Sequence, residues 1–317
     1  MDGGAVSGLR HIVIDTDTGS DDVWAIIEAL RYTDSVCVEA ITTVCGNLPL
    51  ELCLTNALHA EDAARTSYPG VYRGSDQPLC NERDFYAPYV HGSDGLSDMH
   101  LPPPSHSAQK ESAVDALLRL SRKLEGRLEL VTCGPLTNLA KALQRDPTFA
   151  QRIRHAWILG GSGGELGNMT KAAEYNVYVD PEAAELVLNS GMNCTWVTWD
   201  AFQNGGEITF AEAERLGRSN DPAARFCERC SRQLRAYYFG KYGRESFGVV
   251  DTVVMTAALY PEIIAERFRA RCAITLDDTD ERGHFSIDRD GIPNAEVVTR
   301  VDTALYKQKL FALLGMD

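Results

Sequence analysis

The chain has 317 residues, 44% of them hydrophobic, enough to bury a substantial core in one large α/β domain or two small ones. A formal net charge of −14 argues against nucleic-acid polymers and anionic membranes as partners and leaves a neutral, nucleoside-sized ligand open. No apolar run reaches membrane-spanning length, and "MDGGAVSGLRHIVID" has neither the basic end nor the apolar core of a secretory signal, so a cytoplasmic protein is expected. Nine cysteines are scattered singly except for Cys227 and Cys230 in "CERC", with no second pair to complete a zinc site, which predicts reduced thiols.

In chain order, "HIVID" reads as a strand and "VWAIIEALRYT" as the helix after it. "VEAITTV" then "LELCLTNALHAEDAART", and "LELVTC" then "LTNLAKALQR", repeat that unit. Further strands are expected at "HAWILGG", "NCTWVTWD" and "RCAITL", and helices at "DPEAAELVLNSG" and "DTVVMTAALYPEIIAERF". This alternation predicts an α/β fold: a single domain over residues 1–317, with a largely parallel central sheet flanked by helices. One long irregular segment, about 73–107, interrupts it and is expected to form an active-site lid. Ligands of open parallel sheets bind at the carboxyl ends of the strands. "TTVCGN", "LVTCGPLTN" and "ILGGSGGELGN" lie at such ends, beside the end of the first strand.

That first end is "DTDTGSDD", with Asp15, Asp17, Asp21 and Asp22 inside eight positions. Crowded carboxylates raise one another's pKa and oppose folding unless a cation or a polyhydroxyl ligand satisfies them. Capping the next helix needs one or two acids, not four. Calcium takes six to eight oxygen ligands, so further donors are expected elsewhere. Asp251 is a lone acid at the start of an apolar helix, where a capping role competes. Glu174 and Asn176 in "AEYNVYVDPEAA" share a face if that stretch is extended, and an acid with an amide suits a ligand bearing hydroxyls.

These motifs together resemble the inosine-uridine-preferring nucleoside hydrolase family, whose first strand ends in D-x-D-x-G-x-D-D. The likeness continues at Asn47 in "GN", at "HGSDGLSD", "GPLTNLAKAL" and "GNMTKAAEYNVYVDPEAA", and at the Asp251 helix. The resemblance implies a Rossmann-like fold and a calcium-dependent enzyme of purine or pyrimidine salvage that cleaves the N-glycosidic bond of ribonucleosides to ribose and free base. It implies Asp17, Asp22 and Asp251 as carboxylate ligands of Ca²⁺, with Cys133 adding its backbone carbonyl. Asp21, Asn47, Asn168, Glu174 and Asn176 would hold the ribose. Asp17 would also accept the proton of the attacking water, Asp15 would support the loop, and the assembly would be a homodimer or homotetramer. An oxocarbenium-like transition state explains the need for carboxylates and amide oxygens around the sugar.

One position departs from the pattern. The broad-specificity branch of the family has a histidine before the last calcium-binding aspartate, to help the base leave, and the purine-specific branch often has tryptophan. Here the residue is Val250, which cannot donate a proton. His91, His100 and His106 lie in or beside the expected lid, with Phe85, Tyr86 and Tyr89 as possible covers of a base. His91 is the favoured contact because of its "HGSDG" context, and Tyr238 in "RAYYFGKY" is another. Two rivals follow. A haloacid-dehalogenase-like phosphatase shares an opening D-x-D but leaves the glycine- and asparagine-rich matches unexplained. A nucleoside- or ribose-binding homologue with little turnover would account for Val250.

Overall fold

The computed structural model describes residues 8–80, 85–164 and 166–316. Its strands are β1 (Arg10–Thr16), β2 (Val36–Thr43), β3 (Val71–Tyr72), β4 (Leu128–Thr132), β5 (Ile153–Leu159), β6 (Cys194–Val197), β7 (Glu207–Thr209), β8 (Ser246–Gly248), β9 (Ile264–Ile274), β10 (Phe285–Asp288) and β11 (Ala295–Val301). Nine of them form one sheet in the order β10-β9-β11-β6-β5-β4-β1-β2-β3, and β7 pairs with β8 apart from it. All pairings from β11 to β3 are parallel, while β9 runs antiparallel to both of its neighbours. The largely parallel sheet flanked by helices is as expected. Among the described residues, no helix is long and apolar enough to cross a membrane.

The continuous apolar run of β1 has a direct cause: both faces of the sheet are covered. Ile12 and Ile14 pack into one core with helices Ser20–Arg31, Leu50–Ala64 and Val250–Leu259. Val13 points into the other, with helices Ala113–Lys123, Thr137–Arg145 and Pro181–Leu188. The chain leaves β1 toward β2 on one side and later returns to β4 on the other, so the carboxyl end of β1 opens onto the crevice where strand order reverses.

One expected element is corrected. "DTVVMTAALYPEIIAERF" does not form a single helix: the helix Val250–Leu259 stops, a 3-10 turn covers Pro261–Ile263, and β9 begins at Ile264. Pro261 lacks the N–H a continuing helix needs and keeps Tyr260 off the helical backbone, at φ −130° and ψ 74°. Beyond it, alternate residues turn outward, which is the period of a strand. In the segment 73–107, the described residues hold one short helix, Pro88–His91; residues 81–84 of that expected lid lie outside the described residues, as do residues 1–7 of the amino-terminal stretch.

The packing of helices Ser20–Arg31 and Val250–Leu259 buries Glu28 completely. Burial pushes its pKa well above the ordinary range, outweighing its contact with Thr256. Thr256 Oγ1 lies 2.7 Å from Glu28 Oε1 and 2.6 Å from the Thr252 carbonyl oxygen. A hydroxyl has one proton, and the carbonyl can only accept it, so the neutral acid completes the pair by donating to Thr256. A carboxyl whose folded pKa is raised stabilises the fold fully below its unfolded pKa of about 4.3 and loses that contribution as pH rises. Glu28→Gln, which keeps a donor toward Thr256 at every pH, is expected to melt about 2 °C or more above the wild type near pH 8 and to flatten the decline as pH rises above about 4.3. Melting curves across that range check this, and a variant that melts lower than wild type near pH 8 contradicts it.

Candidate active site

The turn from β1 into helix Ser20–Arg31 places the acids. Asp17 Oδ2 accepts from the Asn47 backbone N–H at 2.7 Å, while its Oδ1 is buried with no hydrogen-bond partner. Glycines wall it in: a Cβ on Gly46 would stand 2.1 Å from Asp17 Oδ2, and one on Gly134 2.8 Å from Oδ1. Asp22 Oδ1 accepts from Thr16 Oγ1 at 2.5 Å, and its Oδ2 from Gly19 N at 2.9 Å and Asn47 Nδ2 at 3.3 Å. Asp22 thereby closes the reciprocal half of a helix cap. Asp251 is the second residue of helix Val250–Leu259, one position inside the helix rather than its cap. The amino ends of two helices thus lend partial positive charge to the acids.

That charge does not satisfy the cluster. Burial raises the pKa of Asp21 to about 6 and of Asp22 to about 7, with repulsion from Asp21 adding to the second. Asp17 and Asp251 are raised well above the ordinary range by burial first and by Asp22 next. Asp21 Oδ1, like Asp17 Oδ1, lacks a partner. One carboxylate oxygen each from Asp22 and Asp251 and the Cys133 sulfur lie within 4.8 Å of one another. Orphaned acid oxygens around such a gap fit a hard divalent cation. The Cys133 thiol suits it poorly, because burial and then Asp251 push its pKa far up and keep it protonated. Its carbonyl accepts from Asn176 Nδ2 at 2.8 Å and has a second lone pair to offer.

A cavity beside the cluster is lined by eleven of the residues singled out from the sequence: Asp21, Asn47, Tyr89, His91, Cys133, Asn168, Glu174, Asn176, Tyr238, Val250 and Asp251. Asp17 and Asp22 lie behind this wall, each 1% exposed, so they reach the cavity only through what the cluster binds. Glu174 and Asn176 do not share an extended face. Glu174 caps helix Tyr175–Val179, accepting from Asn176 N at 2.9 Å and Val177 N at 3.2 Å, and also from Gly161 N at 3.0 Å. Burial nevertheless raises its pKa to about 7. Asn176 Nδ2 also donates to the Leu159 carbonyl at 3.2 Å, and Asn168 Oδ1 accepts from Tyr175 N at 2.8 Å. These three cavity-lining side chains are therefore held by backbone groups and do not have to be ordered by a ligand.

The histidines separate. His91 is not a solvated loop side chain: it is buried, and the Ser20 N–H donates to its Nδ1 at 3.2 Å, which leaves the ring proton on Nε2. Burial lowers its pKa to about 4, so it is neutral near pH 7. His100 is exposed, and His106 binds Glu61 at 2.5 Å; neither lines the cavity. Phe85 and Tyr86 pack in a separate cluster around Val179, and Tyr89 does line the cavity. Tyr238 is a buried phenol held neutral by burial, and its hydroxyl stands 2.5 Å from where a Gly248 Cβ would be. Trp199, Leu234, Tyr237, Lys241 and Tyr242, which the sequence did not single out, also line the cavity. Four of these lie with Tyr238 on helix Arg232–Tyr242 at spacings of three and four, a pattern "RQLRAYYFGKY" already carried.

Because Gly46 leaves no room for a methyl group beside Asp17, Gly46→Ala is expected to displace that carboxylate and lower catalytic efficiency by about 10²-fold, the scale of a 1 Å misplacement. Kinetics on the purified variant check this, and unchanged efficiency contradicts it.

The sequence model of the inosine-uridine preferring nucleoside hydrolase family matches residues 12–308. A pyrimidine-specific ribonucleoside hydrolase of Photobacterium profundum is 34% identical, over 96% of this chain and 97% of its own. A probable uridine nucleosidase of Oryza sativa subsp. japonica is 33% identical, over 79% of this chain and 77% of its own. A solved plant nucleoside hydrolase superposes with a TM-score of 0.90 at 30% identity, covering 97% of this chain and 99% of that one. The chain belongs to the inosine-uridine preferring nucleoside hydrolase family.

Proposed function

We propose that this enzyme hydrolyses the N-glycosidic bond of ribonucleosides with calcium held by Asp17, Asp22, Asp251 and the Cys133 carbonyl. The observation that carries the reading is the group of four buried carboxylates, two with orphaned oxygens, against a cavity lined by fixed amides and acids. A bound calcium ion would compensate their charge and acidify a water molecule beside the sugar. Asp17 Oδ1, which has no other partner, takes the water's proton as its oxygen attacks the anomeric carbon. Asp21, Asn47, Asn168, Glu174 and Asn176 receive the ribose hydroxyls. The carboxylates among them stabilise the positive charge that builds on the ring. Ala87, Tyr89, Val90 and His91 line the cavity, which supports reading the segment 73–107 as its cover.

Relatives named for uridine and pyrimidines make uridine the first substrate to test. Reducing-sugar release from a nucleoside panel is expected for the wild type, with Asp17→Asn lower by about 10²–10⁴-fold, the usual cost of losing a general base. No release from any nucleoside by a calcium-loaded protein that still binds ribose would make this a binding homologue. A fully active Asp17→Asn variant would remove Asp17 as the base.

A further inference from the structure

Hydrolysis leaves a pair of electrons on the departing base, and the wall that faces it has no evident proton donor at position 250: Val250 lines the cavity with a hydrocarbon. His91 is neutral and engaged through Nδ1 with Ser20. The helix Arg232–Tyr242 offers something else. Among the described residues that line the cavity, Lys241 is the one lysine or arginine. Its Nζ donates to Tyr237 Oη at 2.7 Å and stands 5.2 Å from the ring centroids of both Tyr237 and Tyr242. The groups that act on its charge are the two tyrosines, with no carboxylate among them. Partial burial opposes its charge, but the tyrosine oxygens outweigh that and keep it an ammonium.

The two residues also have the right unused valences. An ammonium has three donors; Tyr237 takes one and Tyr242 engages another, which leaves one for a ligand. Tyr237 accepts that bond, so its own phenolic proton stays available to donate. A second ring from the loop side, Tyr89, lies 5.8 Å from Tyr237, so a flat base entering between these elements meets aromatic surface on the way to the cation. The helix packs against β8 and against the short helix Pro88–His91 of the loop side.

We propose that Lys241, with Tyr237, is the leaving-group site of this enzyme, stabilising the base as it departs as an anion. The proposal rests on the hydrolase reading above. As the C1′–N bond breaks, both of its electrons leave with the base. The water oxygen bonds to C1′, and the water's proton passes to Asp17 and then to solvent. The anionic base, its charge spread over ring nitrogen and carbonyl oxygen, accepts hydrogen bonds from Lys241 Nζ and Tyr237 Oη and takes a proton from solvent on release. Val250 then needs no replacement acid, because the assistance is electrostatic and comes from a different helix.

The test compares uridine with p-nitrophenyl riboside, whose nitrophenolate departs with little help, in the wild type, Lys241→Met and Lys241→Arg. The Met variant should lose about 10²-fold in kcat on uridine, the scale for removing one oxyanion donor, with KM little changed. Its preference for p-nitrophenyl riboside over uridine should rise at least tenfold, and Lys241→Arg should recover most of the loss. Equal losses on both substrates in the Met variant, or an effect confined to KM, would overturn the leaving-group role. Wild-type protein that cleaves neither substrate would instead defeat the hydrolase reading and this proposal with it, so the two failures are told apart before any variant is made.

Discussion

Four carboxylates, those of Asp17, Asp21, Asp22 and Asp251, are buried together, and much of the surrounding structure answers to that cost. A desolvated carboxylate is expensive unless charge or hydrogen bonds compensate it. The protein supplies some compensation itself: Thr16 and the Gly19 and Asn47 N–H groups on Asp22 and Asp17, and the amino ends of two helices. It stops short of neutralising the cluster, since Asp17 and Asp21 each keep an oxygen with no partner. The gap has a chemical meaning. Fully hydrogen-bonded acids would have nothing left to offer a cation, a sugar or a water proton.

A second set of buried polar groups fixes the loops that bring these acids together. Asp15 accepts from Thr42 Oγ1 at 2.6 Å and Asn138 Nδ2 at 2.8 Å, tying β1 to β2 and to helix Thr137–Arg145. Asn138 in turn accepts from Ser75 N at 2.9 Å and donates to the Thr43 carbonyl at 2.9 Å. Asp180 caps helix Pro181–Leu188 through Ala183 N at 3.0 Å while accepting from Thr137 Oγ1 at 2.6 Å and Leu79 N at 2.9 Å. These bonds do not touch the cavity. They set the positions of strand ends that do, in the way supporting shells hold ligands at metal sites.

The sheet was legible because its central strands are buried on both faces and so appear as unbroken β-branched runs. The edges were not. β3 has two residues, β7 and β8 three each, and short elements give no period to read. The second part of β9 was read as a strand at "RCAITL", but its first part was hidden because "IIAERF" follows a true helix and only Pro261 marks the change. At the site, the sequence pointed to eleven cavity residues but mistook the local geometry of Glu174 and Asn176, since a side chain capping its own helix is not visible in an i, i+2 spacing. The tyrosine-lysine wall had a readable helical spacing, yet its meaning depends on where that helix lies relative to β1, which is tertiary information.

The account depends most on the carboxylate cluster being completed by one hard cation. Calorimetric titration of Ca²⁺ into metal-free protein tests this without reference to turnover. It should show one saturable site per chain, abolished or greatly weakened by Asp251→Asn while that variant remains folded. Absence of a saturable site in the wild type, or calcium affinity unchanged by Asp251→Asn, would contradict it.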